Sequence, residues 1–396
     1  MQPTMPRFGE FVTLIAMLSS LTALSIDAML PALAIIGQDL HVQHANEPQL
    51  IISTLFVGMV FGQIVVGPLS DAYGRKPLMY AGLIIFMLGS LVAMLAQDFS
   101  QMLLGRFLQG LGTAAPRILT MALVRDCYAG RGMARVLSFT MSIFVLVPMI
   151  APSLGQAILL LASWRSIFSG FLLLAVIVAG WFWLRMPETL PADKRRPLNS
   201  QTLQQALRET LTTRSSMMYM LTAGLVFGVF LSYLSSSQQI LQIQYRLGEQ
   251  FPLYFAVLAF SVGGASFLNA RLVMHYGMRW LSHRAILAFT LLSAIFWVIT
   301  YQAGGQPSLT SLMVYLSLAF VALGIMFGNL NALAMEPLGH IAGIAASVIG
   351  SLSTLTAIPL GILIGQSYDG TVLPLVTGFF LLGLAASVLM LKAEAH

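Results

Sequence analysis

Apolar residues run through this chain in long, nearly unbroken stretches separated by short polar segments. A helix that crosses a membrane needs about 20 largely apolar residues in succession. The runs at 11–36, 48–69, 78–97, 101–124, 136–161 and 166–186 reach that length. A second set follows at 217–243, 251–272, 285–303, 308–335, 341–366 and 372–391. The pattern predicts an all-α integral membrane protein of twelve transmembrane helices in two six-helix bundles, at 1–186 and 215–396. Between them, 187–214 is the longest polar segment and carries Pro187, Pro191, Pro197 and the basic run Lys194-Arg195-Arg196. It reads as a cytoplasmic linker, with room for a short surface helix at 203–210. The first run exceeds the apolar core of a signal peptide and contains Asp27, so it reads as the first span.

Composition agrees with the pattern. The chain is 58% hydrophobic and 9% charged, whereas a soluble domain typically carries about 25% charged residues. Its formal charge of +6 does not point to nucleic acid, because the basic residues sit in short loops between apolar runs. With the N-terminus inside, sixteen of the twenty basic residues fall on the cytoplasmic side. Arg165 and Arg246 fall outside, and Arg106 and Arg117 lie within a span. That asymmetry predicts a multi-pass protein of the cell's inner membrane with both termini cytoplasmic. Cys127 is the single cysteine, so no internal disulfide is expected. The six histidines read as loop or tail residues, and no spacing suggests a metal.

One loop stands out. Residues 67–77 read Gly-Pro-Leu-Ser-Asp-Ala-Tyr-Gly-Arg-Lys-Pro and predict a tight turn at the cytoplasmic face. Gly67, Asp71, Gly74, Arg75 and Lys76 are its candidate gating residues. Arg75 and Lys76 suit topological anchoring. Asp71 works against that signal and suits a clamp on neighbouring helix ends that is released in another state. Asp71 and Arg75 are four apart, but the glycine and proline leave a regular helical pair open. A weaker copy follows the eighth run at 269–279. There Leu272, Tyr276 and Gly277 match Leu69, Tyr73 and Gly74, and Met274 replaces Asp71. Parallel repeats of this kind occur in transporters that alternate access by rocking two pseudo-symmetric halves.

Intramembrane charge marks the candidate chemistry. Asp27 is the one acid well inside a span, where a charge costs at least about 2.5–3.5 kcal/mol on insertion scales. It is either a structural carboxylate paired with a buried base or a protonatable site that couples proton and substrate movement. Arg106 is the expected partner, since at 1.5 Å per residue the two lie within about 6 Å in depth. Gln109 and Gly110 share its helix face and suit an amide bridge and a close helix approach. Arg117 either snorkels toward the cytoplasm or lines a cavity for anionic or dipolar substrates. Pro148, Pro152 and Gly155 predict a bent, small-residue face in the fifth helix. That face is either merely structural or a pivot. Phe230, Tyr233, Gln238, Asn329 and Asn331 are candidate substrate contacts, with interhelical hydrogen bonding as the alternative for each.

Together these residues resemble the major facilitator superfamily. The 67–77 segment is similar to its loop signature between the second and third helices, and Arg106-Phe-Leu-Gln109-Gly110 to its helix-4 motif. The 148–155 segment is similar to an antiporter motif of helix 5, with Ala-Pro where many antiporters have Gly-Pro. Asp27-Ala-Met-Leu-Pro31 and Arg125-Asp126 resemble the bicyclomycin/chloramphenicol-resistance branch of drug:proton antiporters. The resemblance implies the major facilitator fold and multidrug efflux by proton antiport, a route to antibiotic resistance. It implies a monomer in the lipid bilayer with small-molecule substrates and protons as partners, and no cofactor. It places Asp27, Arg106 and Gln109 in the coupling network, and Asp71 and Arg75 in the gate. Arg117 belongs to no motif of the family. A metabolite importer or facilitator on the same fold is the alternative. An integral-membrane enzyme lacks a nucleophile–base pair or a metal spacing to support it.

Overall fold

Long apolar stretches become helices in this computed structural model because, in lipid, a backbone must satisfy its hydrogen bonds within its own segment. Residues 6–195 and 200–394 are described, apart from the side chains at 131, 134, 138, 141, 142, 144, 145, 194, 200–203, 205, 206, 340, 342–344 and 394. Arg196 of the basic run therefore lies outside the described residues.

The chain divides into two units, Met1–Asn199 and Ser200–His396. The first holds α1 (Phe8–Asp27), α2 (Leu33–Asp39), α3 (Leu50–Tyr73), α4 (Arg75–Leu95), α5 (Phe99–Cys127), α6 (Gly130–Leu161) and α7 (Arg165–Arg185). The second holds α8 (Ser200–Thr212), α9 (Arg214–Leu234), α10 (Phe251–Tyr276), α11 (Met278–Gln302), α12 (Leu309–Met335), α13 (Ala342–Gln366) and α14 (Leu373–Glu394). Among the described residues, eleven helical stretches are long and apolar enough to cross a membrane. Helix α6 contributes a shorter apolar stretch, Leu146–Leu161.

In the first unit α5 lies between α3 and α4, and small residues set both distances. A Cβ on Gly110 would lie under 2 Å from the Leu55 carbonyl oxygen of α3, and one on Gly112 would lie 2.3 Å from the Phe86 nitrogen of α4. Without a hydrophobic driving force between helices in lipid, such close backbone approach is a main source of association. In the second unit Gly324 of α12 meets α10 in the same way, its Cβ position 2.3 Å from the Val262 carbonyl oxygen.

Three local features depart from the apolar pattern. The first span is not one helix. It breaks after Asp27, passes through a short 3-10 turn at Leu30–Ala32, and resumes as α2. Pro31 has no N–H to return to the Asp27 carbonyl, which makes a break at this point inexpensive. Second, the 67–77 segment is helical almost throughout, which corrects the expected loop. Helix α3 runs through Tyr73, α4 starts at Arg75, and only Gly74 stands between them. Its φ of 105° is open to glycine and strained for other residues. Gly277, with φ 76°, does the same between α10 and α11. Third, α10 runs through Tyr276 and α11 begins at Met278, seven residues before the apolar run, so His275 and His283 lie on helices and not in loops.

Candidate functional site

Helix α1 ends at Asp27, and its last carbonyls lack intrahelical donors. Arg106, fully buried on α5, supplies one. Its Nη2 donates to the Ser25 carbonyl (2.8 Å), its Nε to the Ile51 carbonyl of α3 (3.2 Å) and its Nη1 to Gln109 Oε1 (2.7 Å). Gln109, also fully buried, donates from Nε2 to Ser90 Oγ of α4 at 2.7 Å. One planar guanidinium thus ties three helices together, and an amide extends the tie to a fourth. Arginine suits the task because its five N–H groups point in a fixed fork.

The expected Asp27–Arg106 pair is not formed. Among the described residues Asp27, 5% exposed, takes part in no ion pair. The helix break explains the difference, since it exposes the Ser25 carbonyl and Arg106 satisfies that oxygen instead of the carboxylate. The break after Asp27 also has a backbone neighbour on α6. A Cβ on Gly155 would lie 2.0 Å from the carbonyl oxygen of Ala28, the residue after Asp27. Pro148 and Pro152 are interior to α6, and the face carrying buried Pro152 and Gly155 reaches the break in α1.

At one end of the first unit a second network surrounds Arg75, which is 8% exposed. Its Nη1 pairs with Asp71 Oδ1 and donates to Ser70 Oγ (2.6 Å), and its Nε pairs with Asp126 Oδ2 of α5 (3.1 Å). Asp71 and Arg75 are therefore partners across the single-residue turn at Gly74. Thr189 Oγ1 donates to the same Asp126 oxygen at 3.0 Å. Glu188 accepts from the backbone N–H groups of Arg75 (2.9 Å) and Lys76 (3.0 Å), capping the start of α4. Lys76 Nζ donates to the carbonyls of Met186 (2.7 Å) and Trp183 (3.2 Å). Gly67 accepts from Ser70 Oγ through its carbonyl at 2.8 Å. A side chain at Gly74 would come within 2.5 Å of Glu188 Oε2, so the glycine also makes room for the cap. Sequence reasoning left out Glu188, and quoted Ser70 and Asp126 only as parts of motifs. Glu188 lies 113 residues from Arg75, and no spacing rule links them.

The remaining candidates separate. Arg117 is exposed on α5, with Met59 Sδ 3.7 Å from its Nη1. In the second unit the rings of Phe230 and Phe227 stack at 6.2 Å, and Phe230 meets Phe327 edge-on at 5.9 Å. Buried Tyr233 meets Phe320 edge-on at 4.8 Å. Gln238 is buried and opens a π-helical turn, Gln238–Gln244, past the end of α9. Wide turns of this kind occur frequently at functional sites. Asn329 of α12 is engaged with Asn269 of α10, each amide donating to the other at 2.9 Å. That is the interhelical alternative realised. Asn331 is exposed and donates to the Phe327 carbonyl of its own helix.

Eleven membrane-length helical stretches among the described residues define a polytopic membrane protein, and a buried carboxyl at a helix break near a buried arginine is the kind of intramembrane charge that transporters use. Residues 15–362 match the Major Facilitator Superfamily, and the chain belongs to it. It is 31% identical over 378 residues to an uncharacterized MFS-type transporter, YdgK, of Bacillus subtilis, covering 95% of this chain and 93% of that one. It is 28% identical to a bicyclomycin resistance protein homolog of Haemophilus influenzae, covering 92% and 91%. It is 29% identical to the multidrug resistance protein MdtL of Citrobacter koseri, covering 82% and 80%. Among solved structures, the human organic anion transporter MFSD10 matches with a TM-score of 0.71 at 18% identity, covering 97% of this chain and 100% of that one. The similarity to that structure establishes the fold alone.

Proposed function

We propose that the chain is a proton-coupled exporter of small amphiphilic molecules, drugs among them, that works as an antiporter by alternating access. The observation that carries the proposal is Asp27, a buried carboxyl at the break in α1 with no ion-pair partner among the described residues. A carboxyl so placed can take up and release a proton without dismantling a salt bridge. Its charge change acts where α1 is already interrupted and where α6 abuts through Gly155. Arg106 and Gln109 hold the carbonyl ends of the break and its neighbours in place, so they position rather than carry the proton. The Arg75 cluster with Asp71, Asp126, Glu188 and Lys76 acts as the gate latch of the first unit. Arg117, Phe230, Tyr233, Gln238 and Asn331 contribute to substrate binding, and Asn329 acts through Asn269. The names of the bicyclomycin- and multidrug-resistance relatives support drug efflux as the direction of transport.

The protein works in this proposal as a monomer of twelve transmembrane helices in the inner membrane, both termini cytoplasmic, driven by the proton gradient without a cofactor. Helix α6, at 32 residues, is long enough for the twelfth span. The test is a drug-susceptibility panel in a host lacking its own exporters, together with proton release from purified protein on adding a protected compound. Wild type should protect and release protons, and Asp27→Asn should do neither. Protection by Asp27→Asn equal to wild type would overturn the coupling role. Protection against no compound by wild type would favour the metabolite alternative.

A further inference from the structure

The second unit carries a cavity of about 730 Å³ that the proposed transport cycle does not use. Helix α11 supplies Arg279, Trp280, His283, Arg284 and Leu287, and α9 and α14 close the other sides, Ser215 among their residues. On α11, Arg279, His283 and Leu287 form one row at intervals of four, and Trp280 and Arg284 form a second row next to it. The cavity lining therefore combines two arginines, a histidine and a hydroxyl with a leucine. Arg279 is paired with Glu336 at 2.9 Å. Arg284 forms no ion pair among the described residues and lies over the Trp280 ring at 5.5 Å. Trp280 in turn stacks on Tyr276 at 4.9 Å. Tryptophan and tyrosine are enriched at the headgroup level of a bilayer.

The same helix face continues below the cavity as an exposed apolar stripe. Leu287 is 42% exposed, Leu291 63% and Ile295 52%. From Arg284 to Ile295 is about 16 Å of helix at 1.5 Å per residue. Half of a bilayer's hydrocarbon core is about 15 Å. A cationic pocket at headgroup level, joined to an apolar track one leaflet deep, is shaped for an amphiphile with an anionic head. A free phosphate would use the pocket and leave the track unused.

We propose that this cavity is a binding site for the headgroup of an anionic phospholipid. Arg284 and Arg279 meet the phosphodiester, and an acyl chain lies along Leu287, Leu291 and Ile295. Basic pockets between transmembrane helices are a recognised setting for such headgroups. The proposal is independent of the exporter reading, and its test does not measure transport.

The experiment is native mass spectrometry of detergent-purified protein titrated with dioctanoyl-phosphatidylglycerol or with dioctanoyl-phosphatidylcholine. Wild type should retain the glycerol lipid preferentially. At roughly fivefold in affinity per basic residue, Arg284→Gln should lose about fivefold and Arg279→Gln/Arg284→Gln about 25-fold. The charge-matched control Arg208→Gln/Arg271→Gln should keep wild-type retention. Equal retention of the two lipids by wild type overturns the proposal, even if the variants fail to fold. A loss in the control equal to that in the double variant also overturns it. Displacement of the lipid by millimolar inorganic phosphate would replace the lipid headgroup with a free anion and reject the apolar track.

Discussion

Substituting Gly155 by alanine tests whether the contact between α6 and the break in α1 is structural in the way described. The added Cβ would sit 2.0 Å from the Ala28 carbonyl oxygen, 2.9 Å from its carbon and 3.3 Å from its Cα. A carbon normally stays about 3.3–3.6 Å from a carbonyl oxygen. Either α6 or the turn after Asp27 must therefore retreat by more than an ångström. Overpacking of this kind costs about 1–3 kcal/mol. Alanine also favours the helix by nearly 1 kcal/mol over glycine, which would mask part of the loss. Gly170→Ala on α7 removes that ambiguity, because nothing lies within 4 Å of its Cβ position. The difference between the two variants is then the overpacking alone. With a shift of about 2–4 °C per kcal/mol for a unit of this size, the gap in melting temperature should be roughly 6 °C for a mid-range cost. Thermal unfolding of both proteins in one detergent measures it. Melting temperatures of Gly155→Ala and Gly170→Ala that coincide would refute the close approach, and with it the placement of α6 against the Asp27 break.

Three further outcomes follow from the networks. Arg106→Lys replaces a planar fork by a point charge that cannot serve Ser25, Ile51 and Gln109 together. Each stranded acceptor should cost about 1–3 kcal/mol, and drug protection should collapse. A lysine variant as stable as wild type would show that the three bonds are dispensable. Glu188→Ala removes the cap on α4 and should cost about 1 kcal/mol, with faster hydrogen exchange at the Arg75 and Lys76 amides. Unchanged exchange at those amides would remove Glu188 from the latch. Asn269→Leu and Asn329→Leu should each destabilise by about 1 kcal/mol, while the double variant should be no worse than either single one. Strict additivity would mean that the two amides do not act as a pair.

The order of apolar and polar segments determined the membrane class, the position of most spans and the relation between 67–77 and 269–279, because lipid imposes one length and one kind of backbone on every crossing segment. It located Asp27, Arg106, Gln109 and Arg75 because a charge or amide within or beside an apolar run is conspicuous. It did not determine what those groups touch. Arg106 was expected to face Asp27 at similar depth, yet the break in α1 offers it the Ser25 carbonyl instead. The apolar pattern does not reveal that a span is interrupted, since Pro31 is as compatible with a kinked helix as with a broken one. The partners of Arg75 at Asp126 and Glu188 lie 51 and 113 residues away. Only the tertiary structure brings them together, because side chains that distant meet through helix packing and not through periodicity. The same holds for the cavity on α11. The residues are visible in the sequence, but the early start of that helix at Met278 and the closure by α9 and α14 convert three basic residues beside a turn into a lined pocket.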